Sequence, residues 1–164
     1  MARNADYNTF DWIYNKYWGS SSAKCFFPVV ESLLFPHIPS RARILDLCCG
    51  TGQLAQILAQ RGCQVTGIDG SEDMIRFARM NTPDVEFLVE DARTFCLPAI
   101  YHAVISTYDS LNHVLSLDEL SQVFSNVNAC LQQGGMFLFD LNMEAGYKDR
   151  WHGTFKIVEE DHVL

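Results

Sequence analysis

The sequence predicts an α/β fold in which a doubly wound, mostly parallel sheet is covered by helices. Three observations predict it. From Arg43 onward, short apolar runs alternate with segments of helical periodicity, the pattern of repeated strand and helix units. A glycine-bearing turn, Gly50 to Gly52, follows the first run and opens a helix. Acids stand at the ends of the first three runs, Asp46, Asp69 and Asp91, which is the edge where open α/β sheets bind ligands.

Taken in order, "RILDLC" is the first strand, and "QLAQILAQ" is a helix with Leu54, Ile57 and Leu58 on one face. Gly62 stands where that helix needs a left-handed residue to end. "CQVTGID" is the second strand. Ser71 caps the helix "EDMIRFARM", whose Glu72 and Asp73 suit its positive end. "VEFLVED" and "HAVISTY" are the third and fourth strands. Ser116 and Glu119 have capping-box spacing, and Leu120, Val123, Phe124, Val127 and Leu131 form the buried stripe of the helix that follows. Gly134 and Gly135 are expected to end it, and "MFLFDL" is the fifth strand. Ahead of the sheet, Phe10, Tyr14, Tyr17 and Trp18 recur at helical spacing, and Pro28 is placed to open a second helix running to about Phe35. The aromatic stripe serves either as packing or as a lid. The division expected is a helical cap over 1–40, a core over 41–142 and the start of a further insertion over 143–164, where "TFKIVEEDHVL" is strand-like.

The 164 residues, 48% of them hydrophobic, suffice for one domain. The formal charge of −8 repels a phosphate backbone, which speaks against nucleic acid as a partner and favours a small molecule. No apolar stretch approaches the roughly 18 residues a membrane helix needs, so a cytoplasmic protein without membrane partners is expected. Six cysteines show no CxxC spacing and read as reduced thiols. The adjacent Cys48 and Cys49 would make a strained disulfide and cannot alone supply a zinc site, so no metal is expected.

Gly50 and Gly52 let the backbone approach a ligand without a Cβ in the way. With Ala55 they also satisfy a dinucleotide-binding pattern, and Asp69 stands where a ribose-binding acid would, so an NAD-linked oxidoreductase is one reading. Asp46 argues against it. A strand feeding a pyrophosphate turn should stay apolar, because a carboxylate there is desolvated and faces the ligand's negative charge. A ligand carrying an ammonium group would instead be held by it.

With these residues in place, the chain resembles the class I S-adenosylmethionine-dependent methyltransferases over nearly its whole length. The resemblance implies a Rossmann-like sheet of order 3-2-1-4-5. It also implies S-adenosyl-L-methionine as cofactor and a small-molecule acceptor methylated at nitrogen or oxygen. Asp46, Gly50 and Gly52 would hold the methionine portion, with Cys48 standing where many members have glycine. Asp69 would grip both ribose hydroxyls, with Gly70 and Met74 near the adenine, whose amino group Asp91 would take beside the Ala92 backbone. "ISTYDSLNH" places Tyr108 beneath the sulfonium.

His113, just past the fourth strand, is a candidate proton acceptor, and Tyr7, Tyr14, Tyr17 and Trp18 are candidates to close over the sulfonium. Members of the family usually add a sixth and a seventh strand and, in small-molecule enzymes, a lid after the fifth strand. This sequence stops before either. The apolar edge of "MFLFDL" is therefore expected to be covered by self-association or a partner chain. A truncated chain, one half of a two-chain enzyme and a noncatalytic cofactor-binding module are the alternatives that follow.

Overall fold

The computed structural model describes residues 10–150 and residue 158. Tyr7 and, apart from Val158, the strand expected over 154–164 lie outside the described residues. Helical turns begin at α1 (Asp11–Ile13), pass through a π-helical turn (Tyr14–Trp18) and continue as α2 (Gly19–Leu34) to a 3₁₀ turn (Phe35–His37). The alternating part follows: β1 (Arg43–Leu47), α3 (Gln53–Gln60), β2 (Gln64–Asp69), α4 (Glu72–Asn81), β3 (Glu86–Val89) and β4 (Tyr101–Ser106). A 3₁₀ turn (Ser110–His113) leads to α5 (Leu117–Cys130), β5 (Leu131–Phe139) and α6 (Glu144–Arg150).

The five strands are parallel, in the order β3-β2-β1-β4-β5, as the resemblance implies. The central strands are buried on both faces, which is why they read as continuous apolar runs. Ile44, Ala103 and Ile105 point toward α2, α3 and α4, where Val30, Leu34, Leu58 and Ile75 are buried. Leu45, Leu47 and Val104 point the other way, into a second core with Phe95, Val123 and Val127. Asp46 shares the parity of Ile44, so its carboxylate enters the first layer beneath the glycine turn.

Local signals held at the helix ends. The Ser71 hydroxyl accepts from the Met74 amide at 3.2 Å, and the Ser116 hydroxyl from the Glu119 amide at 3.4 Å. Gly62 is left-handed after α3.

Two readings need correction. Pro28 does not open a helix. It lies inside α2, on an exposed face, so the Lys24 carbonyl that loses its donor is on a side open to water and the helix continues. Gly134 and Gly135 do not end α5, which stops at Cys130, and Leu131 belongs to β5 rather than to the helical stripe. The glycines form an irregularity in that strand: the pairing passes from Tyr101 opposite Leu131 to Ala103 opposite Met136, and Gly134 turns through φ +78° to absorb the extra residues. The third strand also ends two residues early, at Val89, so Asp91 lies in the following turn.

Candidate functional site

After β1 the chain passes Cys48 (φ 60°), Gly50 (φ 54°) and Gly52 (φ 82°) in left-handed conformations before α3 begins. Cys48 adopts a geometry glycine would take without strain, at a cost of about 1 kcal/mol. Burial first, and then the charges of Asp69 and Asp46, push the Cys48 thiol well above its ordinary range, so it stays protonated. At Gly52 an added Cβ would stand 2.9 Å from the Phe87 ring and 3.1 Å from the Ala78 backbone of α4. Gly52→Ala is therefore expected to destabilise the fold by more than about 2 kcal/mol, read as a loss of thermal midpoint by calorimetry.

Asp46 is 2% exposed, and its Oδ2 has no hydrogen-bond partner. Burial, followed by the charge of Asp69, raises its carboxyl to about 7, against the pull of a hydrogen bond from the Ala55 backbone. A buried acid with an unpartnered oxygen beside a glycine turn has the chemistry to take a cation or a donor.

Asp69, at the end of β2, ties the turn to α4: its Oδ2 accepts the Gly50 amide and its Oδ1 the Ser71 amide, each at 2.9 Å. Burial raises its carboxyl above the usual range. Each oxygen retains a lone pair for a further donor, the requirement for gripping a diol. Gly70 is half-buried beside it, whereas Met74 is buried.

Asp91 is engaged differently. Its Oδ1 accepts the Arg93 amide at 2.8 Å and Nε at 2.9 Å, while Oδ2 accepts Nη2 at 2.5 Å, and Arg93 also reaches Glu119 at 3.1 Å. The Arg93 side chain holds the Asp91 carboxyl below its usual range. The neighbouring Ala92 carbonyl accepts from Asn126 at 3.3 Å.

The N-terminal helices close this edge. A Cβ on Gly50 would lie 3.5 Å from the Tyr14 ring, and Tyr14 meets Tyr108 edge-on with ring centres 6.1 Å apart. Burial raises the Tyr14 phenol to about 12, so it stays neutral. Trp18 instead stacks on Phe10 at 5.2 Å, and Tyr17 lies under Lys16. Two anchors were not legible in the sequence. Asn15 Oδ1 accepts from Gln53 Nε2 at 3.1 Å and from Asn81 Nδ2 at 2.7 Å, and Asn81 also donates to the Thr51 carbonyl at 2.8 Å. Asp11 accepts from the Ser71 hydroxyl at 2.9 Å. Its signal was a charge within an otherwise apolar run, "FDWIY".

Beyond β4, Tyr108 (φ 67°) and Asp109 (φ 51°) are both left-handed, and Tyr108 is exposed. The Asp109 amide donates to Asp140 Oδ2 at 3.0 Å, and the Asn142 side chain donates to Asp109 Oδ2. Asp140 Oδ1 is buried without a partner, an acceptor the sequence did not single out. Asn112 exchanges hydrogen bonds of 2.9 Å with the Asn142 backbone, which ties the 3₁₀ turn to the end of β5. His113 ends that turn, exposed. Among the described residues, no group of His, Cys, Asp or Glu could hold a metal, and no helix is long and apolar enough to cross a membrane.

Comparison with known proteins bears on this arrangement. The model of a family described as a methyltransferase domain matches residues 44–135. The putative methyltransferase YqeM of Bacillus subtilis is 36% identical over 126 residues, which cover 74% of this chain and 47% of that protein. The dTDP-3-amino-3,4,6-trideoxy-alpha-D-glucopyranose N,N-dimethyltransferase of Streptomyces venezuelae is 27% identical over 111 residues, covering 68% of this chain and 47% of that one. The chain thus spans about half the length of these curated relatives. The crystal structure of the PH0226 protein from Pyrococcus horikoshii OT3 superposes with a TM-score of 0.71 at 31% identity, over 86% of this chain and 66% of that one. The matched span holds the glycine turn, Asp46, Asp69 and Asp91, and the chain belongs to the methyltransferase domain family, of the class I type whose cofactor is S-adenosylmethionine.

Proposed function

We propose that this chain binds S-adenosylmethionine along the carboxyl edge of β1, β2 and β3 and supports methyl transfer to a small-molecule nucleophile, nitrogen before oxygen. The observation that carries the reading is the open Oδ2 of buried Asp46, which suits the cofactor's ammonium group and repels a pyrophosphate. Asp69 takes the ribose hydroxyls with the lone pairs left by Gly50 and Ser71. An adenine amino group reaching Asp91 shares that carboxylate with Arg93. Tyr14, beside the Gly50 turn, and Tyr108, edge-on to it, are the aromatic rings nearest to attract a cation there.

The bound cofactor supplies a methyl group on a sulfonium with a good leaving group. The protein's part is to align the nucleophile and exclude water. The preference for nitrogen rests on the Streptomyces relative, whose name places it on an amino sugar, and on Asp109 and Asp140, two acids where β4 and β5 end. His113, exposed after β4, takes the proton where the acceptor releases one.

Production of S-adenosylhomocysteine in the presence of a primary or secondary amine tests the activity. Cofactor binding without turnover on any amine or alcohol would leave the noncatalytic module instead. His113→Ala is expected to lower turnover about tenfold with cofactor affinity intact; unaltered turnover would remove it. The reading includes pairing of the outer edge of β5, whose Phe139 is exposed, with a second copy or a partner chain. Sedimentation showing only monomer at micromolar concentration would exclude self-association.

A further inference from the structure

Asp11 is an expensive residue to bury. It is 1% exposed, its Oδ1 has no donor, and it lies close enough to Asp69 for its charge to act on that acid. The other charges facing it are Asp73 and Arg76 of α4, which pair with each other at 2.8 Å and leave no net cation for Asp11. Packing of the N-terminal helices does not require an acid here, since Asn15 already anchors them to Gln53 and Asn81.

What the acid does is fix Ser71. That hydroxyl donates to Asp11 Oδ2 at 2.9 Å and accepts from the Met74 amide at 3.2 Å, so both its proton and its rotamer are committed. The amide of the same serine donates to Asp69 Oδ1 at 2.9 Å. We infer that Asp11 is a positioning residue for ribose recognition: acting through Ser71, it holds Asp69 in the orientation that accepts the cofactor's diol, and so couples docking of the N-terminal helices to cofactor affinity. The inference rests on Asp69 being the ribose-binding acid. Tyr14, three residues along the same helical run, covers the Gly50 turn, so one movement of this segment would release both contacts.

The test compares S-adenosylhomocysteine with its 2′,3′-dideoxyribose analogue by calorimetric titration of the 164-residue chain. Asp11→Ala is expected to weaken binding of the first about tenfold and of the second less than about twofold, because the lost orientation matters only where hydroxyls are present. Asp11→Asn keeps an acceptor for Ser71 and is expected to restore affinity to within about threefold. Should the alanine variant not fold, Asp11→Glu, which displaces the carboxylate by one methylene, gives the same comparison. Equal losses on both ligands, or no loss on either, would overturn the inference. A wild-type chain that binds neither ligand overturns the cofactor reading, and this inference with it.

Discussion

Replacing Asp69 with alanine is expected to abolish measurable cofactor binding, raising the dissociation constant for S-adenosylhomocysteine by at least about a hundredfold. Two effects add. The ligand loses an ionised acceptor for its two hydroxyls, with each charge-assisted hydrogen bond worth about 1.5 to 3 kcal/mol. The site also loses its brace, because the Gly50 and Ser71 amides both end on this carboxylate. Leaving two amides unpaired should lower the thermal midpoint by about 5 °C in a chain of this size. Asp69→Asn keeps one carbonyl oxygen for an amide and should lose less stability while still binding poorly. An alanine variant with native affinity would remove Asp69 from the site.

Asp46→Asn is the second large effect, and it acts in opposite directions on stability and function. The ordinary carboxyl value is 3.8, and the fold raises it to about 7. The ligand-free fold therefore binds this proton more tightly than the unfolded chain does. Its contribution to stability is full below about pH 4 and is lost as pH rises through 7. An asparagine, neutral at every pH, is expected to stabilise the ligand-free protein at pH 8 by about 1 to 3 kcal/mol, visible as a higher thermal midpoint. The same change should weaken cofactor binding by about ten- to a hundredfold, since the ammonium loses its counter-charge. A gain in stability with a loss of binding is the mark of a residue strained for function.

What the sequence disclosed, and what it withheld, follows from how each feature is encoded. The two-faced burial of β1 and β4 is written in apolar runs and was legible, whereas the strand order followed from the family resemblance. Caps at Ser71 and Ser116 are local chemistry and were legible too. Pro28 and the Gly134–Gly135 pair misled because the same residues that punctuate helices also sit inside one on a solvated face, or in a strand irregularity, when tertiary packing continues through them. The positions of Asp46 and Asp69 near the ends of β1 and β2 were legible, but the unpartnered oxygen of one and the braced oxygens of the other are visible only in three dimensions. Asp11, Asn15 and Asp140 were missed because their partners are remote in sequence. Ser71 lies 60 residues from Asp11, and Asn81 lies 66 from Asn15.

The reading stands or falls on whether the buried, unpartnered oxygen of Asp46 takes a cation rather than facing a pyrophosphate. Calorimetric titration of the wild-type chain with S-adenosylhomocysteine and with NAD, repeated from pH 8 down to pH 5.5, tests it most directly. Saturable binding of S-adenosylhomocysteine and none of NAD is expected. Below pH 7 the affinity should fall by up to about tenfold per pH unit as Asp46 protonates, a slope that is absent in Asp46→Asn, which has no carboxyl to titrate. Preferential binding of NAD, or S-adenosylhomocysteine affinity that is level across this range, would contradict it.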